Sequence, residues 1–228
     1  MIRIITDFDG PISDVSERYY QVYLLCLEKN SCQNQQVRTL SKEEFWELKR
    51  SRIPEKQIGI MCGLEEAQAE NFAAQRKQTV HTQPFFEHDI LATGAVDALL
   101  KAKQARIDLA VMTMRRVREL EYALNKFDLY QFFPENRRYC LSNDYVKTRD
   151  IKDKPLLMER ALKELPPSED TWMVGDTEAD ITAAKKHGVK SIAVECGIRD
   201  RAQLEAYTPD IFVKNLTEAV NFILKSYE

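Results

Sequence analysis

The chain has 228 residues, 44% hydrophobic and 30% charged, an ordinary globular composition with room for one or two domains. Its formal net charge is −3 with mixed signs along the chain, which argues against a nucleic-acid binder relying on bulk positive charge. Cys26, Cys32, Cys62, Cys140 and Cys196 are odd in number without a C-x-x-C pair, and no stretch approaches the length of a membrane span. Reduced thiols, no structural zinc, no membrane and a cytoplasmic location are therefore expected.

Ile2, Ile4 and Ile5 form a short β-branched run that predicts a buried strand, and Asp7 and Asp9 follow it before Gly10 and Pro11 break the extended chain. Asp14 or Ser16 can cap a helix to about Lys29, with Tyr20, Tyr23, Leu24 and Leu27 near one face. Residues 30–38 read as a polar loop. Ser41-Lys-Glu-Glu is a capping-box pattern that starts a short helix through Phe45, Trp46 and Leu48. Pro54 suits the first turn of a third helix ending near Gly63. A fourth helix is predicted over 64–79, with Leu64, Ala67, Phe72 and Ala73 inward.

From Ala95 onward the pattern alternates. Helices are predicted over 96–103, 116–127, 155–163, 178–187 and 216–224. Strands are predicted over 107–112, 138–141, 171–174 and 191–194, with a further edge strand at 209–213. Gly188 is a natural stop for the helix before it. This alternation implies an α/β fold with a doubly wound, parallel (Rossmannoid) sheet. Residues 1–13 and 91–228 are expected to form that core, and 14–90 an inserted all-helical domain.

Four positions fall just after predicted strands or at a helix start: Asp7 with Asp9, Thr113, Lys154, and Asp176 within Gly175-Asp176-Thr177-Glu178-Ala179-Asp180. In open α/β sheets ligands bind at the carboxyl ends of strands, so these side chains would share one mouth. Residues i and i+2 of an extended chain point the same way, and two carboxylates held close call for a cation, usually a hard one such as Mg²⁺. Each position suits phosphoryl transfer. Asp7 can attack phosphorus and form an aspartyl-phosphate, while Asp9 protonates the leaving oxygen and later deprotonates water. Thr113 and Lys154 offer a hydroxyl and a positive charge to the transferred group, and Asp176 can complete the metal's oxygen shell.

This ordered set resembles the haloacid dehalogenase superfamily of phosphohydrolases. Asp7-Phe-Asp-Gly-Pro-Ile-Ser-Asp14 looks like the first motif, Thr113 the second, Lys154-Pro155 the third, and Gly175 to Asp180 with Ala183, Ala184 and Gly188 the fourth. The insert, Gly197-Ile-Arg199 and Pro209-Asp210 resemble the phosphoglycolate phosphatase-like branch with its helical cap. The resemblance implies a Mg²⁺-dependent phosphatase of a small phosphorylated metabolite, phosphoglycolate- or sugar-phosphate-like, working as a monomer or homodimer. It implies Asp7 as nucleophile and metal ligand, Asp9 as acid/base ligating through its carbonyl, Asp176 as direct ligand, and Asp180 orienting a coordinated water. Met114 and Arg115 stand where the family usually has a small polar residue, and are expected at the substrate. Pro11 stands where Thr or Val is usual and removes a backbone N–H.

Blander readings compete. Asp176 and Asp180 can serve only as helix-start acids, and Lys152 rivals Lys154. His81, His88 and His187 read as packing or surface residues. Lys49, Arg50 and Arg52 read as solvated charges, or else Arg52 reaches a substrate carboxylate or hydroxyl. Rival functions are a phosphosugar mutase of the same superfamily, a dehalogenase, a receiver-like module and a non-catalytic binder. The last should have lost Asp7 or Asp9.

Overall fold

The computed structural model describes residues 1–227. In chain order the first half holds β1 (Ile2–Thr6), β2 (Ser13–Asp14), α1 (Ser16–Asn30), α2 (Lys42–Arg50), α3 (Glu55–Met61), α4 (Glu66–Thr79), α5 (Gln83–Phe86) and β3 (Ile90–Leu91). Then come α6 (Ala95–Gln104), β4 (Asp108–Arg116), α7 (Val117–Lys126), β5 (Arg138–Leu141), α8 (Asp150–Glu164) and β6 (Asp170–Gly175). The last elements are α9 (Glu178–Lys186), β7 (Lys190–Val194), α10 (Arg201–Glu205), β8 (Ile211–Val213) and α11 (Leu216–Lys225).

Six strands form one parallel sheet in the order β5-β4-β1-β6-β7-β8, so the first strand lies in the interior. Ile4 and Ile5 are both fully buried and face opposite ways. Ile4 joins Val111, Val174 and the inward faces of α6, α7 and α11; Ile5 joins Met112, Met173 and the inward faces of α8 and α9. Helices on both faces make the sheet doubly wound, which is why its central strands are apolar throughout. Each such isoleucine contributes about 1.5–3 kcal/mol by burial.

The chain divides into two compact units, Met1–Ser13 with Leu91 onward, and Asp14–Ile90. The second unit is built from α1 to α5 around Val22, Tyr23, Cys26, Phe45, Ile58 and Phe72. Tyr23 stacks on Phe45 with ring centroids 4.7 Å apart, and its hydroxyl accepts the Leu40 N–H at 2.9 Å. The Ser41 capping box is formed: Ser41 Oγ accepts the Glu44 N–H at 3.1 Å and Glu44 Oε2 accepts the Ser41 N–H at 2.8 Å. Arg18 and Asp89 make a fully buried pair at 3.0 Å, with the guanidinium 4.9 Å over the Phe86 ring. No disulfide joins the cysteines, and among the described residues no helix is long and apolar enough to cross a membrane.

Several elements differ from the sequence expectation. Val15, not Asp14 or Ser16, occupies the α1 N-cap position; Asp14 Oδ1 instead accepts the Ser16 N–H at 2.8 Å. In α4 the inward residues are Ala69, Phe72 and Arg76, whereas Ala67 is exposed. Its helical face is set partly by a buried arginine held by Glu55 at 2.9 Å, which an apolar count misses. β4 does not stop before Thr113 but runs on to Arg116, with a register shift against β5 between Met112 and Arg116. α8 starts at Asp150, so Pro155 lies inside it. The short α5, α10, β2 and β3 were not anticipated.

Candidate active site

β1 ends by aiming Asp7 out of the sheet's carboxyl edge. The Asp7 N–H still donates to Val174 O at 2.8 Å, continuing the ladder, while its Oδ1 accepts the Phe8 N–H at 2.7 Å. The neighbouring strand β6 ends at Gly175 and places Asp176 beside it, where Asp176 Oδ2 accepts the Ile198 N–H at 2.6 Å. α9 opens with its own capping box: Thr177 N–H and Thr177 Oγ1 both donate to Asp180 Oδ2, at 3.0 and 2.6 Å. α8 brings in Lys154, whose Nζ lies 2.6 Å from Asp7 Oδ2 and 2.5 Å from Asp180 Oδ1. One carboxylate oxygen from each of Asp7, Asp176 and Asp180 falls within 4.8 Å of the others, and all three residues are buried. The approach is close enough to demand glycine. A Cβ on Gly10, whose φ is +90°, would meet Asp176 Cγ at 2.4 Å, and one on Gly197 would meet Asp176 Oδ2 at 1.8 Å.

The charges do not balance. Three buried carboxylates face one ammonium, and like charges near 5 Å repel by about 3 kcal/mol per pair at an effective dielectric of about 20. Burial pushes the Asp7 carboxyl well above its ordinary range, Asp180 and Asp176 push it further, and Lys154 only partly opposes them. Burial and the Asp180 charge raise Asp176 to about 7. Burial alone would lower the Lys154 amine, but Asp180 and Asp7 more than offset it and hold it charged. Two uncompensated negative charges on an all-oxygen donor set fit one hard divalent cation. Asp7 and Asp176, with Asp180 beside them, are the side chains that could hold it.

The other expected residues are distributed differently. Lys152 is exposed, so Lys154 alone of that pair reaches the carboxylates. Asp9 does not join the converging trio through its side chain: its Oδ1 is held by Arg115 Nε at 2.7 Å and Arg115 Nη2 at 2.6 Å. Arg115, expected at the substrate, is buried behind Asp9, with its guanidinium 4.9 Å over the Phe8 ring. Thr113 lies within β4, and its Oγ1 accepts the Arg115 N–H at 3.2 Å. Met114 is half-buried against the Tyr139 and Leu157 side of the core. In the helical unit Lys49 is paired with Glu55, while Arg52 is exposed just past α2 with φ +59°. His187 Nε2 lies 2.9 Å from Pro155 O, a packing role.

Two contributors went unnoticed in the sequence. Asp153 is buried and accepts from Thr148 N, Thr148 Oγ1 and Tyr145 OH at 2.8, 2.7 and 3.2 Å, which ties the loop before α8 to the helix carrying Lys154. The Ile198 N–H orients Asp176, a role not expected of the Gly197-Ile-Arg199 stretch, which enters the sequence reading only through the resemblance.

Comparison with known proteins bears on this geometry. Residues 152–219 match the hydrolase-like family model described as HAD-hydrolase-like. Over 124 residues the chain is 32% identical to pyrophosphatase PpaX of Bacillus mycoides, covering 52% of each protein. The chain thus spans about half the length of the curated relatives it matches. The fold matches that of a "predicted phosphatase" from Clostridium acetobutylicum, with TM-score 0.70, 20% identity and 98% of each chain covered. It also matches a haloacid dehalogenase-like family hydrolase from Streptococcus pneumoniae, with TM-score 0.67, 17% identity and 97% of each chain covered. The segment matched by the family model carries Lys154, Asp176 and Asp180, and the chain as a whole shares the fold of these haloacid dehalogenase-like structures.

Proposed function

We propose that this chain is a Mg²⁺-dependent phosphatase of a small phosphorylated metabolite, phosphoglycolate- or sugar-phosphate-like, acting through an aspartyl-phosphate on Asp7. The observation that carries the reading is the meeting of Asp7, Asp176 and Asp180 around a single Lys154 at the carboxyl ends of β1 and β6. In the first step an Asp7 carboxylate oxygen bonds to phosphorus while the bond from phosphorus to the leaving oxygen breaks. Asp9 gives that oxygen its proton. In the second, water attacks phosphorus, Asp9 takes the water's proton, and the Asp7–phosphorus bond breaks to free phosphate. Lys154 fixes the Asp7 carboxylate and faces the charge that builds on the transferred group. When bound, the divalent cation would neutralise the meeting of an anionic nucleophile with an anionic ester.

The curated relative is named a pyrophosphatase, so inorganic pyrophosphate joins phosphoglycolate and sugar phosphates as a candidate substrate. The test is phosphate release from these compounds with Mg²⁺, with isomerised sugar phosphate measured alongside to detect a mutase. Release should disappear in EDTA and in Asp7→Asn. Undiminished turnover in either would sink the reading.

A further inference from the structure

Arg115 has no part in the mechanism above, yet it is a buried cation bonded to the proposed acid/base. β4 runs on past Thr113, and its pairing with β5 slips between Met112 and Arg116. Such irregularities re-aim side chains beside active sites. Here the slip sits at the stretch that turns the 115 side chain under Asp9. Two kinds of contact then fix the guanidinium, Nε and Nη2 on Asp9 Oδ1 at 2.7 and 2.6 Å and the Phe8 ring at 4.9 Å, while the backbone N–H of Arg115 donates to Thr113 Oγ1 at 3.2 Å and fixes the main chain there. Exposure separates the partners. The Asp9 side chain is 26% exposed and the Arg115 side chain 1%, so Asp9 stands at the mouth with Arg115 behind it.

The geometry points to Arg115 as a positioning residue that sets the Asp9 carboxylate for proton transfer to and from the leaving oxygen, rather than as a substrate contact. This rests on the phosphatase reading. Two N–H groups converging on one carboxylate oxygen define the orientation of the whole group, and proton transfer requires hydrogen-bond reach of the reacting oxygen. Misorientation therefore matters most where the leaving group needs its proton. Alkyl phosphates need it; an activated aryl phosphate does not.

The experiment compares wild type, Arg115→Met, Arg115→Lys, Asp9→Asn and the Asp9→Asn/Arg115→Met double variant on phosphoglycolate and on p-nitrophenyl phosphate, with Mg²⁺. Arg115→Met should lower kcat on the alkyl ester at least about tenfold, with KM held within about twofold and a smaller loss on the aryl ester. Arg115→Lys, which keeps the charge, should recover part of that kcat and stands in if the methionine variant fails to fold. In the Asp9→Asn background Arg115→Met should cost nothing further, because a residue acting through Asp9 has nothing left to position. A rise in KM alone would make Arg115 a substrate contact. Additive losses in the double variant, or equal losses on both esters without rescue by lysine, would make it structural, and either result overturns the inference while leaving the phosphatase reading intact. A wild type that releases phosphate from neither ester nor from sugar phosphates or pyrophosphate, or an Asp7→Asn variant that still does, overturns both.

Discussion

The two units of this chain bury charge in opposite ways. In the helical unit Arg18 and Asp89 form an ion pair, both sealed from solvent, and the guanidinium rests on the Phe86 ring. In the sheet unit three carboxylates crowd one lysine. A balanced buried pair holds structure, since removing either partner strands the other in a medium that solvates it poorly. An unbalanced cluster does the reverse: it costs stability until something positive arrives. Unpaired charge, more than burial, separates a site from a strut.

Asp7→Asn should break the contrast most severely. Loss of the attacking oxygen should lower kcat by at least about a thousandfold, or roughly 4 kcal/mol of barrier. The same variant should be no less stable than wild type in the absence of metal, because one of the repelling charges is gone. Calorimetry in EDTA beside the activity assay checks both halves, and a large drop in Tm would contradict the charge argument.

The mirror experiment is Arg18→Met. It should destabilise by about 3–5 kcal/mol, with most of that recovered when Asp89→Leu is added. Denaturant titration reads this directly, and additive losses in the two variants would show that the charges do not act as a pair.

Acidity sharpens the comparison further. Asp176 is raised to about 7 when folded, against 3.8 for an ordinary aspartate. The folded chain therefore holds that proton more tightly than the unfolded chain does. The protonated group's contribution to stability is complete below the ordinary value and is lost as pH rises toward 7. Metal-free protein should lose up to about 1.4 kcal/mol per pH unit through this window from that group. Saturating Mg²⁺ should flatten the dependence by binding the charged form. A metal-free Tm that rose between pH 4 and 7 in wild type, but not in Asp176→Asn, would reverse the assignment. The smallest effect is expected at the helical unit's surface, where Ser41→Ala removes a cap worth about 1 kcal/mol. Turnover is the control there and should not move.

What could be read from the sequence was local. Asp7 and Asp9 after a β-branched run, and Asp176 with Asp180 after the strand 171–174, announce themselves because strand ends and helix starts are written in neighbouring residues. The missed contact between Arg115 and Asp9 joins distant ones. Arg115 and Asp9 are 106 positions apart, and their pairing depends on a strand continuing through Thr113-Met-Arg-Arg, a stretch polar enough to pass for a helix start. Pro155 suggested the first turn of a helix, yet α8 begins at Asp150; burial of Asp153, Lys154 and Pro155 outweighs one missing N–H. In α4 an apolar count chose Ala67 over Ala69, because it could not know that Arg76 points inward beneath Phe45.

The place of β1 in the sheet also fixes an order of assembly. Thr6 pairs with Val111 on one side and Val174 on the other, so the strand that carries Asp7 precedes both of its partners in synthesis by a long stretch of chain. The helical unit, contiguous from Asp14 to Ile90 and rich in local contacts, has all its residues available much earlier. Along the growing chain β1 therefore has its two edges unmet until the sheet closes around it. The proposed nucleophile is thus made well before the strands that will surround it.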